Sequence, residues 1–279
     1  MPLKGKKPTY RDKRFKALFY GNTGVGKTTA AIQFPTPYLI DTEDGAQNNK
    51  YVDLINERNG ASLQAQDFTE ILNEVKTLAT EHHDYKTLII DPLTIVYNNL
   101  VDYYESKVGS DFGRHYTHAN KDMKRLLSWI LRLDMNVVIT SHAKNEYGDK
   151  MNVLGHVPDC YKKLDYLFDL VIEVKKYGSK RVGIVKKTRI EGFKEDETFE
   201  FSYKTIAQKY GSDNLEKQSE ALDLASEEQV KEIKKYIELM KIPVDVYEKW
   251  LTKANVETFE EMDSDKIQKC IDMLKEKIQ

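Results

Sequence analysis

The chain has 279 residues, enough for one sizeable α/β domain with a small appendage. Its 40% hydrophobic and 32% charged residues are those of a globular protein, and no apolar run approaches the length of a membrane span. A net charge of −2 excludes a globally basic nucleic-acid binder, so any nucleic-acid contact has to be local.

The basic charge is concentrated at the start. Lys4, Lys6, Lys7, Arg11, Lys13, Arg14 and Lys16 face only Asp12, and residues 1–14 read as a basic arm that is either solvated or in contact with phosphates. The opening segment lacks the apolar core of a signal peptide, and Cys160 and Cys270 form no C-x-x-C pair. Both features predict a reducing, cytoplasmic setting.

Residues 15–20 (F-K-A-L-F-Y) predict a buried strand, and residues 27–34 a short helix that Pro35 stops. Between them Gly21, Asn22, Thr23, Gly24, Val25, Gly26, Lys27 and Thr28 fit G-x-x-x-x-G-K-[ST], with Thr29 following. Glycines let the backbone wrap phosphates with its N–H groups turned inward, and the helix N-terminus adds partial positive charge. Lys27 is placed to reach the β- and γ-phosphates, and the Thr28 hydroxyl to hold Mg²⁺.

Residues 38–41 predict a second strand ending in Asp41, and T-E-D-G-A-Q-N-N-K-Y a loop or helix after it. Residues 67–82 carry Phe68, Ile71, Leu72, Val75 and Leu78 at helical spacing, with Asp67 as N-cap. A third strand at 87–91 ends in Asp91 and is followed by Pro92. Then come a helix at 93–107, a glycine- and aromatic-bearing loop at 109–120, an amphipathic helix at 121–133, a fourth strand at 136–141, and a polar loop from His142 to about Cys160. Residues 167–174, 181–187 and 198–203 predict strands joined by short turns such as 177–179. Alternating strands and helices argue a mainly parallel sheet, and the later strands an added β-hairpin edge. The fold expected is an α/β core over 15–204, a linker over 205–225, and a C-terminal helical module over 226–279. In that module Ser226 caps one helix, Pro243 breaks it, and 246–251 and 267–274 suggest two more. So small a tail needs a three-helix core or a partner to be stable.

Two carboxylates narrow the chemistry. Asp91 ends an apolar strand where a Walker B aspartate would order Mg²⁺; the plain alternative is a turn with Pro92. Pro92 takes the place where many P-loop ATPases carry a water-activating Glu. Glu43 lies just past a strand end, on the side that faces the ligand crevice in an open α/β sheet, and is the candidate base. Its plain alternative is a helix-capping acid.

These pieces together resemble the RecA-type ATPases. D-T-E-D-G at 41–45 looks like the segment with the catalytic glutamate, and V-V-I-T-S-H at 137–142 like the strand ending in a γ-phosphate sensor, here His142. R-V-G-I-V-K-K-T-R-I-E-G-F-K-E-D-E-T-F-E-F at 181–201 looks like the hairpin whose cations reach a neighbour's ATP. The resemblance spans 15 to about 203 and is nearest to compact bacteriophage RecA-like ATPases, some of which anneal single strands. It implies ATP and Mg²⁺ as cofactors, head-to-tail self-association with ATP between subunits, and Lys187 and Arg189 as the cations acting across the boundary. An exposed basic strand protecting a sheet edge is the other reading of that pair. On the same match, loops 106–120 and 143–163 line the path of single-stranded DNA. They carry Lys107, Arg114, Tyr116, Lys144, Lys150, Tyr161, Lys162 and Lys163. The segment at 143–160, short and poor in glycine, departs from the DNA-binding loop of RecA.

Competing patterns are weaker. His115, His118, His156 and Cys160 have loose spacing for zinc, and no guanine-reading N-K-x-D follows the fourth strand. A second class of function stays open: a nucleotide-gated adaptor with feeble hydrolysis that holds a protein partner through residues 226–279. Tyr51 is a candidate for the adenine contact.

Overall fold

The computed structural model describes residues 13–45, 49–148 and 152–277. Strand β1 (Lys16–Tyr20) is buried along its whole length, which requires a central strand covered on both faces. The chain continues through α1 (Lys27–Ala31), β2 (Pro37–Asp41), α2 (Asn49–Glu57), β3 (Ala61–Gln64), α3 (Phe68–Thr80), β4 (Thr87–Asp91) and α4 (Leu93–Val108). Next come α5 (Arg114–Arg132), β5 (Asn136–Ser141), β6 (Ala143–Tyr147), β7 (Val153–Pro158), α6 (Leu164–Leu167), β8 (Leu170–Tyr177), β9 (Lys180–Thr188) and β10 (Thr198–Glu200). The remainder is helical: α7 (Tyr203–Tyr210), α8 (Ser212–Leu215), α9 (Glu227–Leu239), α10 (Val244–Ala254) and α11 (Ser264–Glu276).

Eight strands form one sheet in the order β10-β9-β8-β1-β5-β4-β2-β3. From β8 to β3 every neighbouring pair is parallel, while β9 runs antiparallel to both β8 and β10. The mainly parallel sheet with a hairpin edge is the α/β class that the residue pattern predicts. Alternation along the strands divides the core in two. Leu18, Ile40, Ile90 and Ile139 meet Ile71, Val96 and Leu126 of α3, α4 and α5. Phe19, Leu39, Ile89 and Val138 meet Ala30, Ile55 and Ile206 of α1, α2 and α7.

Several segments differ from expectation. The loop expected over 109–120 is short, because α5 starts at Arg114 and buries His115 and Ala119 in line with Met123. The polar loop expected over 142–160 is the β6–β7 hairpin, whose strands hold no fully buried residue and pair only with each other. The strand expected from 167 begins at Leu170, after the single turn α6. Residues 205–225, expected as a linker, include most of α7 and all of α8. Ser202 caps α7 by accepting from Thr205 N, and Ile206, Ala207 and Leu215 are buried against the core. The following strap is fastened as well: Arg14 donates to Asp134 at 2.8 and 2.7 Å and to the Lys217 carbonyl at 2.9 Å.

The C-terminal helices share a core of their own that includes Val230, Ile233, Leu251, Ile267, Ile271 and Leu274. Ser226 and Gln229 form a reciprocal capping box at the start of α9, and Pro243 precedes α10. Among the described residues no helix is long and apolar enough to cross a membrane.

Candidate nucleotide site

The loop between β1 and α1 wraps tightly because two of its glycines permit it. Gly26 has φ +99°, and a Cβ there would lie 2.4 Å from Arg181 Nε; a Cβ on Gly21 would lie 2.3 Å from the Val174 carbonyl oxygen. Lys27 is buried under this loop and donates to the carbonyls of Gly21 at 2.8 Å and Asn22 at 2.9 Å. Burial lowers its pKa, against the opposing pull of Asp91 and Glu43.

The parallel register carries the other groups to the same edge. β2, β4 and β5 end in Asp41, Asp91 and Ser141, and Gly21 N donates to the Ser141 carbonyl. Thr140 and Thr28 both donate to the Asp91 carboxylate. Desolvation raises the Asp91 pKa, while those two hydroxyls and the Lys27 ammonium pull it back. Asp91 with the Thr28 hydroxyl offers hard oxygen donors, which suit Mg²⁺.

Glu43 and His142 meet directly: His142 Nε2 lies 3.0 Å from Glu43 Oε1. Both are held by backbone contacts. Glu43 N donates to Asp41 Oδ1 at 3.1 Å, and His142 N donates to Thr94 Oγ1 at 2.9 Å. Thr94 is buried and also touches Ser141 Oγ at 3.1 Å, so the first turn of α4 sets the height of the histidine. Lys27, Thr28, Glu43, Asp91 and His142 are thereby gathered at one end of the sheet.

Lys187 and Arg189 are not part of that cluster. β9 runs antiparallel, so its first residues return to the loop and its last residues lie at the far end. Lys187 donates to the Asp165 carbonyl at 2.8 Å. Arg189, just past the strand, reaches Asp169 and the Tyr166 carbonyl, each at 3.3 Å. The residue that β9 does bring to the loop is Arg181, beside Gly26. Residue pattern gave no sign of it, because the contact depends on the hairpin turning back. Between α1 and the starts of β9 and α7 lies a cleft of about 610 Å³, lined by Gly26, Thr29, Gln33, Arg181, Phe201 and Ser202. Tyr51, the adenine candidate, instead packs against the core beneath the sheet.

Glu173 is a second group that sequence reasoning missed, and it is buried. It sits midway along β8, beside Tyr20 at the end of β1, 3.2 Å from His156 Nδ1 and 3.1 Å from Lys175 Nζ, and Tyr20 donates to the His156 carbonyl at 3.2 Å. These bonds fasten the β6–β7 hairpin next to the loop. His115 and His118 lie on α5 and Cys160 is buried beneath Leu93, so the residues weighed for zinc fall in separate surroundings.

Of the residues expected to face DNA, Lys107 ends α4, Arg114 and Tyr116 open α5, and Lys144 is paired with Asp159 at 3.2 Å. Tyr161 is 7% exposed and packs into the core, so its ring is not available to stack on a base. Lys162 and Lys163 are exposed, and Lys150 lies outside the described residues. A further aromatic stands out: Phe112, between α4 and α5, is fully exposed with φ +54°.

A glycine-rich loop between a central parallel strand and a helix, with a lysine, a hydroxyl and a strand-end aspartate gathered below it, defines a P-loop nucleotide-binding domain. A family model described as an AAA domain, AAA_24, matches residues 13–191, and the chain belongs to that family. No curated protein matches it. Among solved structures it is similar to the RadB recombinase, with 17% identity, a TM-score of 0.45, and coverage of 67% of this chain and 86% of that one. It is also similar to a DnaB-like replicative helicase studied for its interactions with primase, with 13% identity, a TM-score of 0.43, and coverage of 64% of this chain and 55% of that one.

Proposed function

We propose that this protein is a Mg²⁺-dependent, RecA-like ATPase of the bacteriophage type that acts on single-stranded DNA in recombination or replication, annealing or loading it. The observation that carries the ATPase reading is the Glu43–His142 pair, held 3.0 Å apart at the same strand ends as Lys27, Thr28 and Asp91. In this reading the backbone N–H groups of residues 21–29 cradle the phosphates, Lys27 reaches the β- and γ-phosphates, and Thr28 and Asp91 hold Mg²⁺. The metal, when bound, neutralises charge on the phosphate oxygens. Glu43 orients the attacking water, and His142 passes from Glu43 to the γ-phosphate when ATP enters. The nucleoside lies in the cleft between Thr29 and Arg181. Lys187 and Arg189, remote from their own loop, act on the ATP of the next subunit in a head-to-tail assembly. Phe112, flanked in sequence by Lys107 and Arg114, supplies the exposed ring and cations that single strands need.

The adaptor reading draws on a different observation. Leu239 and Val244 of the C-terminal module are 62% and 56% exposed, an apolar surface open to a protein partner. Steady-state ATP hydrolysis with and without single-stranded DNA separates the two. Stimulation by DNA that Glu43→Gln abolishes supports the DNA-acting ATPase, and slow turnover indifferent to DNA favours the adaptor.

A further inference from the structure

A cleft of about 480 Å³ lies where α5 and α6 meet the C-terminal module, far along the chain from the P-loop. Its walls carry Lys124, Arg132, Lys163 and Lys266, and no carboxylate among the described residues lines it. Arg132 and Lys266 are already paired with Asp263. Lys124 and Lys163 are exposed and have no ionic partner among the described residues, so their charge is directed to solvent across the cleft. The floor is apolar, made by leucines of α5 and α6. At the rim stands Tyr166, 69% exposed, its ring 5.9 Å from Lys187 Nζ.

The chain as a whole has net charge −2, and the cleft is locally basic. Unpaired cations attract a polyanion. An exposed ring over an apolar floor adds a stacking platform that suits an unpaired base. We infer that this seam is a binding site for single-stranded nucleic acid, with backbone phosphates on Lys124 and Lys163 and a base stacked on Tyr166. The inference rests on the single-strand reading above and shares Lys163 with its second loop; Lys124 and Tyr166 are new to it. Because the cleft is built from both the ATPase core and the C-terminal module, a strand held there ties the two together. Lys187 touches the same tyrosine, so the track runs on toward the cations assigned to the subunit boundary.

The test is fluorescence anisotropy with a labelled oligo-dT on the full chain, across a salt series, for wild type, Lys124→Glu/Lys163→Glu and Tyr166→Ala. Binding of a fluorescent ATP analogue and circular dichroism serve as controls on fold. The expected result for the double variant is a loss of oligonucleotide affinity of about 10-fold or more and a log–log salt slope shallower by about 1.4, since each lost single-strand phosphate contact removes about 0.7. Tyr166→Ala is expected to weaken binding by about 5-fold or more with the slope unchanged. Wild-type binding that both variants retain in full overturns the cleft and leaves the single-strand reading standing. No oligonucleotide binding by wild type in any nucleotide state overturns that reading and the cleft with it. Displacement of the oligonucleotide by a poly-glutamate peptide at comparable concentration overturns the nucleic-acid assignment. If the charge reversals disturb the fold, Lys124→Gln/Lys163→Gln is read on the same scale, with half the loss or more expected.

Discussion

Gly26 and Gly24 both sit at positive φ, +99° and +75°, yet their surroundings differ. Any L-residue pays about 1–2 kcal/mol of steric strain in that region. At Gly24 nothing lies within 4 Å of a would-be Cβ, whereas at Gly26 the Arg181 side chain is 2.4 Å away. Gly24→Ala is therefore expected to weaken nucleotide binding mildly, and Gly26→Ala more, because it also pushes the flexible Arg181 side chain aside, measured by titration with a fluorescent ATP analogue. Equal losses at the two positions would remove Arg181 from the account. Glu43 carries a different kind of prediction. A residue that only orients water leaves ground-state binding intact, so Glu43→Gln is expected to lower the hydrolysis rate about 100- to 10,000-fold while ATP affinity stays within a few-fold. A matching loss of affinity would mean that Glu43 holds the nucleotide instead.

At the level of elements, β1 contains a group that ties two layers together. Lys16 is buried and donates to the carbonyls of Ile130 at 3.2 Å and Leu133 at 2.8 Å, closing the C-terminal end of α5. Burial lowers its pKa from 10.5 to about 7, with Arg14 adding to the shift and Asp134 and Asp169 opposing it. Between those two values the unfolded chain holds the proton and the native protein releases it, so native stability rises with pH across that window and is flat below it. The stability difference between wild type and Lys16→Met, from urea titrations at pH 7 to 9, is expected to grow in favour of wild type by up to about 1.4 kcal/mol per pH unit. A constant difference would show that Lys16 keeps its proton. No residue pattern discloses such a group, since Lys16 reads as one more cation of the basic start. What the pattern does disclose is local. The strands at 87–91 and 136–141 have the bounds their apolar runs predict, and Asp67 and Ser226 cap the helices that follow them. The four edge-directed groups Lys27, Glu43, Asp91 and His142 were legible because a parallel sheet sends every strand end to one side. The misses share a cause as well. β3 is an edge strand without an apolar run, β6 is a polar strand paired only to β7, whose short apolar run Gly155 and His156 interrupt, and Arg181 and Glu173 reach the loop through pairing that distant segments decide.

For the whole molecule, the question is what fixes the C-terminal module to the core. The seam centres on Glu261, buried between Lys76 at 2.7 Å and Arg125 at 3.5 Å, with Arg132 bridging to Asp263 at 2.7 Å. Lys76 and Arg132 also lie over the Trp129 ring, at 5.3 and 4.5 Å, so α3 and α5 together set cations on the aromatic face. The strap before the module joins in: Leu224 bridges to Asp263, and Ser264 N donates to the Asp223 carbonyl. Burial alone would raise the Glu261 pKa, but the Lys76 hydrogen bond, the Glu257 N–H and the charges of Lys76 and Arg125 outweigh it and hold it below its ordinary 4.5. A carboxylate with a depressed folded pKa contributes stability above 4.5 that is lost as pH falls through the folded value, so acid should loosen this seam. Glu261→Gln removes the charge at every pH and leaves two cations without it. Because Lys76 and Arg125 are a quarter or more exposed, at 26% and 29%, the cost is expected near about 1–2 kcal/mol rather than that of a fully buried pair. Hydrogen exchange over residues 216–225 and 257–266 reads the seam directly: at neutral pH it should speed up in Glu261→Gln, while the β4 and β5 amides keep their protection. Wild type brought to acid pH should then reproduce the variant's pattern. Acceleration spread evenly over both bodies would mean that core and module unfold as one unit, and the cleft between them would then be a fixed feature of the fold rather than a joint.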